Sequence, residues 1–170
     1  MKKISLALSL MLLIAGRAWA HDADPVDIDL AYGQEYTTPN HIDADPWKGI
    51  MQVGVTNTGT EAWYDFHFAI VGMEDAKTVL FTDGGGSFPV SSAALSDVVF
   101  GTNEAGYSTM DLLFQNPIAP SQSVYFTLYT DNTAVPHAAW FGVCMAPSVP
   151  EPATMALLGL GGLVMIRRRK

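Results

Sequence analysis

Between residues 26 and 145 the apolar side chains of this chain recur at every second position in short runs, with Gly, Pro, Asn and Asp filling the gaps. Side chains alternate between two faces only in an extended strand, so this spacing dictates β-structure with one face on a core and the other toward water. Residues 26–32 (VDIDLAY) alternate cleanly, and 50–57 (IMQVGVTN) run through the turn Thr58-Gly59-Thr60-Glu61 into 63–71. In that last run Tyr64, Phe66, Phe68 and Ile70 are predicted to face the core, with Asp65 and His67 beside Ala69 on the other side. Further strands are expected at 78–82, 98–101, 109–115, 124–130 and 139–145, with turns at Gly84-Gly85-Gly86 and Asn116-Pro117. No sustained 3.6-residue period lies between them, so helices in this region are expected to be short or absent. The expected fold class is therefore all-β, a single antiparallel β-sandwich of Ig-like or jelly-roll type.

The two ends read differently. Lys2 and Lys3 precede an apolar stretch from Ile4 to Ala15, and Ala18-Trp19-Ala20 places small residues where a signal peptidase needs them. Residues 1–20 are expected to be a helical signal peptide cut between Ala20 and His21. No Cys follows the apolar stretch and no Arg-Arg pair precedes it, so the general Sec route is the expected one. At the other end, Val149-Pro150-Glu151-Pro152 leads into an uncharged apolar run of fourteen residues, 153–166, closed by Arg167, Arg168, Arg169 and Lys170. At helical rise that run spans about 21 Å against the roughly 30 Å of a bilayer's hydrocarbon core, which suits a transient stop better than a permanent span. The cationic end should stay on the cytoplasmic side and leave the Pro-Glu-Pro segment across the membrane.

This tail resembles the PEP-CTERM sorting domain of Gram-negative bacteria in Val149-Pro150-Glu151-Pro152-Ala153, the Leu/Gly-rich stretch and the terminal Arg-Arg-Arg-Lys. The resemblance implies recognition by an exosortase and an inner-membrane-anchored intermediate held by the C-terminal helix. Delivery to the cell surface or an exopolysaccharide matrix would come next. The expected organisation is thus signal peptide 1–20, β-sandwich domain 21–146, Pro-rich linker 147–152 with the sorting motif, and hydrophobic sorting helix with basic tail 153–170.

Without its two ends the chain changes character. Of nine Lys and Arg only Lys48 and Lys77 fall within residues 21–148, against sixteen Asp and Glu, a net charge of −14. Nucleic acid is excluded as a partner, because phosphate neutralisation needs clustered cations. The domain should be soluble and repel anionic polymers unless divalent cations bridge them.

Calcium is the one cofactor the sequence suggests, through Asp22, Asp24 and Asp27 in one segment and Asp43 and Asp45 in another. Asp-x-Asp spacing turns two carboxylates toward one point, although the Gly and closing Glu of an EF-hand loop are missing. The histidines His21, His41, His67 and His137 match no zinc spacing, and no Gly-x-Ser-x-Gly elbow or Gly-Lys-Ser/Thr phosphate loop occurs. Trp47, Trp63, Tyr64, Tyr107, Tyr125, Tyr129 and Trp140 are expected mainly in the core, an exposed tryptophan patch being what a sugar platform would need. Cys144, the single cysteine, lies in an apolar run and is expected to be a buried, inert thiol. A non-enzymatic exported surface or matrix protein is the leading expectation. A calcium- or carbohydrate-binding adhesion module is the alternative, and a secreted hydrolase the less favoured one.

Overall fold

The computed structural model describes residues 23–43, 48–84, 90–134 and 139–148. The signal peptide, the C-terminal hydrophobic helix and the basic tail expected from the sequence lie outside the described residues. Eleven strands occur among them: β1 (Ala23–Leu30), β2 (Tyr36–Thr37), β3 (His41–Asp43), β4 (Lys48–Asn57), β5 (Trp63–Gly72), β6 (Leu80–Thr82), β7 (Val90–Ser91), β8 (Leu95–Thr102), β9 (Ser108–Ile118), β10 (Ser123–Asp131) and β11 (Ala139–Ser148). A single 3-10 turn, Glu74–Thr78, takes the place of the start of the strand expected at 78–82. The fold is all-β.

Two sheets form. The first has the order β1-β4-β10-β6, with β7 beside β6 on the same flank of β10; the second has the order β2-β11-β5-β9-β8, with β3 beside β2 on the same flank of β11. The inward faces carry the alternation read from the sequence: Met51, Val53 and Val55 on β4, Val124, Phe126 and Leu128 on β10, Phe66, Phe68 and Ile70 on β5, Met110, Leu112 and Phe114 on β9, and Phe141, Val143 and Met145 on β11. The sheets meet through aromatic rings. Phe126 of the first lies 5.2 Å from Phe66 and 5.4 Å from Phe68 of the second, centroid to centroid. Each such fully buried side chain contributes roughly 1.5–3 kcal/mol through the water it sheds, which makes this layer the main source of stability.

The wholly antiparallel expectation is corrected at one place, since β1 pairs with β4 in parallel, Val26 opposite Val53 and Leu30 opposite Asn57. The cause is connectivity. After β1 the chain crosses to the second sheet, where β2 and β3 pair with β11, and returns to the first sheet running in its original direction. Every other strand pair among the described residues is antiparallel.

Two further readings are corrected by one irregularity. Trp63 faces Ile118 but Asp65 faces Leu113, so Phe114–Pro117 make an excursion on β9 while a lone Tyr64 opposes it on β5. The pleat therefore slips: Trp63 is fully buried and Tyr64, expected in the core, is 48% exposed. Asn116-Pro117, expected as a turn, lies inside β9 because the excursion frees Pro117 from donating to the ladder. Finally, β11 continues through Pro147 and Ser148, opposite Phe66 and Asp65, two residues into the segment expected as linker.

Candidate functional site

The outer face of the second sheet collects the one compact group of titratable side chains around a histidine among the described residues. Asp65 and His67 sit two residues apart on β5 and so share that face, and Asp111 on β9 is the direct cross-strand neighbour of His67. His67 Nδ1 and Asp111 Oδ1 are 2.6 Å apart, and His67 Nε2 lies 3.3 Å from Asp65 Oδ1. The Nδ1 contact is a hydrogen bond, while the longer approach of Nε2 to Asp65 is an ion pair without hydrogen-bond geometry. Interaction with Asp65 raises the His67 pKa most, partial burial opposes it, and Asp111 adds to the rise, bringing it from 6.5 to about 9. Reciprocally, His67 and then the Ser148 hydroxyl hold the Asp65 carboxyl below the usual carboxylate range against the opposing effect of burial.

This arrangement makes a charge clamp, an imidazole held between two carboxylates that favour its protonated form. Its contribution to stability has a defined pH window. A histidine whose pKa is raised by folding stabilises fully below its unfolded value near 6.5 and loses that effect as pH rises through about 9. Since His67 is 45% exposed, solvent screening reduces the gain to on the order of 1 kcal/mol. Thermal unfolding should therefore show a melting temperature falling by a few degrees between pH 6.5 and 9.5, and His67→Gln should flatten that slope. A slope unchanged in the variant would show that the clamp does not stabilise the fold. Sequence reading placed His67 on the correct face but missed Asp111, because nothing in a lone sequence gives the register of β5 against β9.

The calcium candidates are spread over the fold. Asp24 and Asp27 lie on β1 in the first sheet and Asp43 on β3 in the second, while Asp22 and Asp45 fall outside the described residues. Among the described residues no three His, Cys, Asp or Glu form a group that could hold a metal ion. Asp27 instead lies with Asp29, Thr56, Ser123 and Tyr125 around a cleft of about 320 Å³ on the outer face of the first sheet. Gly54 forms its floor: an added Cβ would run into Asp27 Oδ1 and meet Tyr125 Cε1 at 2.9 Å, so a larger residue there would push both side chains off the strand.

The other candidates separate in the same way. Trp63 belongs to the core; Trp140 and Tyr64 are exposed near opposite ends of the second sheet, and Tyr125 is exposed on the first. The buried thiol expected at Cys144 is corrected. With Phe141, Val143 and Met145 facing the core, alternation turns Cys144 to the outer face, where it is half-buried with its Sγ 3.9 Å from Glu35 Oε2. Both lysines of the domain are already paired, Lys48 with Asp131 and Lys77 with Glu74, each at 2.9 Å. His41 lies on β3, whereas His21 and His137, with Gly85 and Gly86, are outside the described residues.

The described residues thus form an acidic, all-β body whose last strand is a central one. Immediately after it comes a recognisable signal: the PEP-CTERM protein-sorting motif matches residues 148–170, so the match begins at Ser148, the last residue of β11. The residues that carry it, Val149, Pro150, Glu151, Pro152, Arg167, Arg168, Arg169 and Lys170, lie outside the described residues, as do Ala18, Ala20 and His21 at the expected signal cleavage. Neither a curated protein nor a solved structure matches the chain. Among the described residues no helix is long and apolar enough to cross a membrane. The match indicates an exported protein targeted to an exosortase.

Proposed function

We propose that this chain is a non-enzymatic surface or extracellular-matrix protein. Its domain enters the Sec route through residues 1–20, pauses in the inner membrane on the 153–166 segment and is released to the cell surface by exosortase cutting at the Pro-Glu-Pro motif. The observation that carries the reading is the position of the motif match, which starts where the folded sheet stops, so the whole β-body lies upstream of the cut. The finer architecture proposed is a β-sandwich, supported by the two sheets that share one aromatic core. Excess acidity suits a soluble particle in an anionic matrix that contacts its surroundings through neutral or cation-bridged groups.

The test is fractionation with intact-mass measurement. The wild-type protein should be recovered outside the inner membrane beginning at His21 and lacking Lys170. Replacing Pro150, Glu151 and Pro152 together by alanine should leave most of the protein in the membrane fraction with Lys170 still attached. Normal release of that variant would refute the sorting step.

A further inference from the structure

The strand edges of the two sheets are protected unevenly. In the first sheet β1 ends one side, and it carries Pro25 with Asp27 and Asp29, the proline and charges that discourage another strand from pairing. On the remaining flanks of the first and second sheets stand β6, β7, β2 and β3, each of two or three residues. The last edge is different. β8 is eight residues long, pairs among the described residues with β9 alone, has no Pro or Lys, and leaves Val99 44% and Phe100 39% exposed.

One bond tells how that edge is oriented. The Val98 N–H donates to the Asp97 carboxylate at 2.8 Å rather than to β9, although Val98 stands opposite Leu112 in the ladder. In an antiparallel pair alternate residues point their N–H and C=O away from the neighbour, so Val98 and Phe100 present theirs outward. The carboxylate of Asp97 and the irregularity between Leu95 and Asp97 guard the start of this edge, whereas from Val98 to Thr102 the pairing with β9 is regular.

We propose that β8 pairs with β8 of a second copy of this chain, antiparallel and centred on Val99. That register sets Val98 against the copy's Phe100, both with outward-pointing backbone groups, and joins them by a two-bond pair. It sets Val99 against Val99 without hydrogen bonds, and Asp97 against Gly101, so no like charges face one another along the strand. Moving the centre to residue 97 would oppose the two Asp97 side chains, and moving it to residue 98 would place Val99 against Asp97. Of these three registers the one centred on Val99 alone keeps Asp97 away from both its twin and Val99. Pairing hands the Val98 N–H to the copy's Phe100 carbonyl and releases Asp97, while the domain as a whole, at −14 over residues 21–148, repels its twin. Self-pairing is thus weak at low ionic strength and rises with salt, the reverse of an ion-pair interface. It does not depend on the sorting reading.

The experiment uses the exported protein and its variants, studied by sedimentation and by disulfide trapping with Cys144→Ser as background. Directly opposed residues of a pair without hydrogen bonds have Cα atoms about 4.5 Å apart, within reach of a disulfide. Val99→Cys should cross-link to the dimer on mild oxidation, while Tyr125→Cys on the other sheet should not. Asp97→Ala should lower the concentration at half dimer by several-fold, about 1 M salt should do the same by screening, and Val99→Lys should restore the monomer. A protein that stays monomeric in wild type and Asp97→Ala forms at high salt, or equal trapping at 99 and 125, would overturn the proposal.

Discussion

Asn57→Asp should lower stability by about 3–5 kcal/mol, the largest effect expected of any isosteric change in the domain. Asn57 is fully buried at the end of β4, where its side chain closes two turns at once. Nδ2 donates to the carbonyls of Glu61 at 2.8 Å and Ile118 at 3.0 Å, and Oδ1 accepts from the Gly59 N–H at 3.0 Å. Its backbone works the same junction, donating to the Gln122 carbonyl and accepting from the Ser121 N–H, which helps hold Ser121 at φ 65. Aspartate would aim a carboxylate oxygen at two carbonyls in a site that water does not reach, so the lost donor is compounded by repulsion. Asn57→Ala leaves the same carbonyls unpaired without adding charge and should cost about 2–3 kcal/mol. Urea unfolding orders the two variants, and equal losses would mean that water enters the junction.

The second large effect separates neighbours. Trp63→Ala should cost about 3–5 kcal/mol and Tyr64→Ala less than about 1 kcal/mol, measured in the same denaturant series. Trp63 is completely buried and its ring lies 5.6 Å from Phe66, whereas Tyr64 is about half exposed on the outer face. The Trp63 Nε1 is buried without a hydrogen-bond partner, so Trp63→Phe should recover much of the loss by removing that unsatisfied donor. A reversed order of the Trp63 and Tyr64 variants would place the slip in the β5–β9 pairing elsewhere.

That pair also marks the limit of what the residues disclose in one dimension. The inward faces of β4, β5 from Phe66 onward, β9, β10 and β11 are legible from alternation, because a two-residue period is a local property of strands. The slip at Tyr64 depends on which strand lies alongside, and so does the survival of Pro117 within β9. The short strands β2, β3 and β7 carry too few residues for any period to show. The histidine clamp divides in the same way: Asp65 is local to His67, and Asp111 reaches it only across 44 residues of chain. At the C-terminal tail the reverse holds, since motif, apolar run and basic end are contiguous and their order is the signal.

The place of β11 imposes a schedule on the molecule's life. This last strand is an interior one, flanked by β5 on one side and by β2 and β3 on the other, and it supplies Phe141, Val143 and Met145 to the shared interior. Until it arrives, β5 has a bare flank and the hydrophobic layer has a gap, so the body cannot close before its final residues emerge. Any scissile bond upstream of Ser148 would pull out a keystone, whereas one beyond it trims only the leash. On the proposed sorting route a cut in the tail would therefore spare the sheet, whichever of folding and trimming came first.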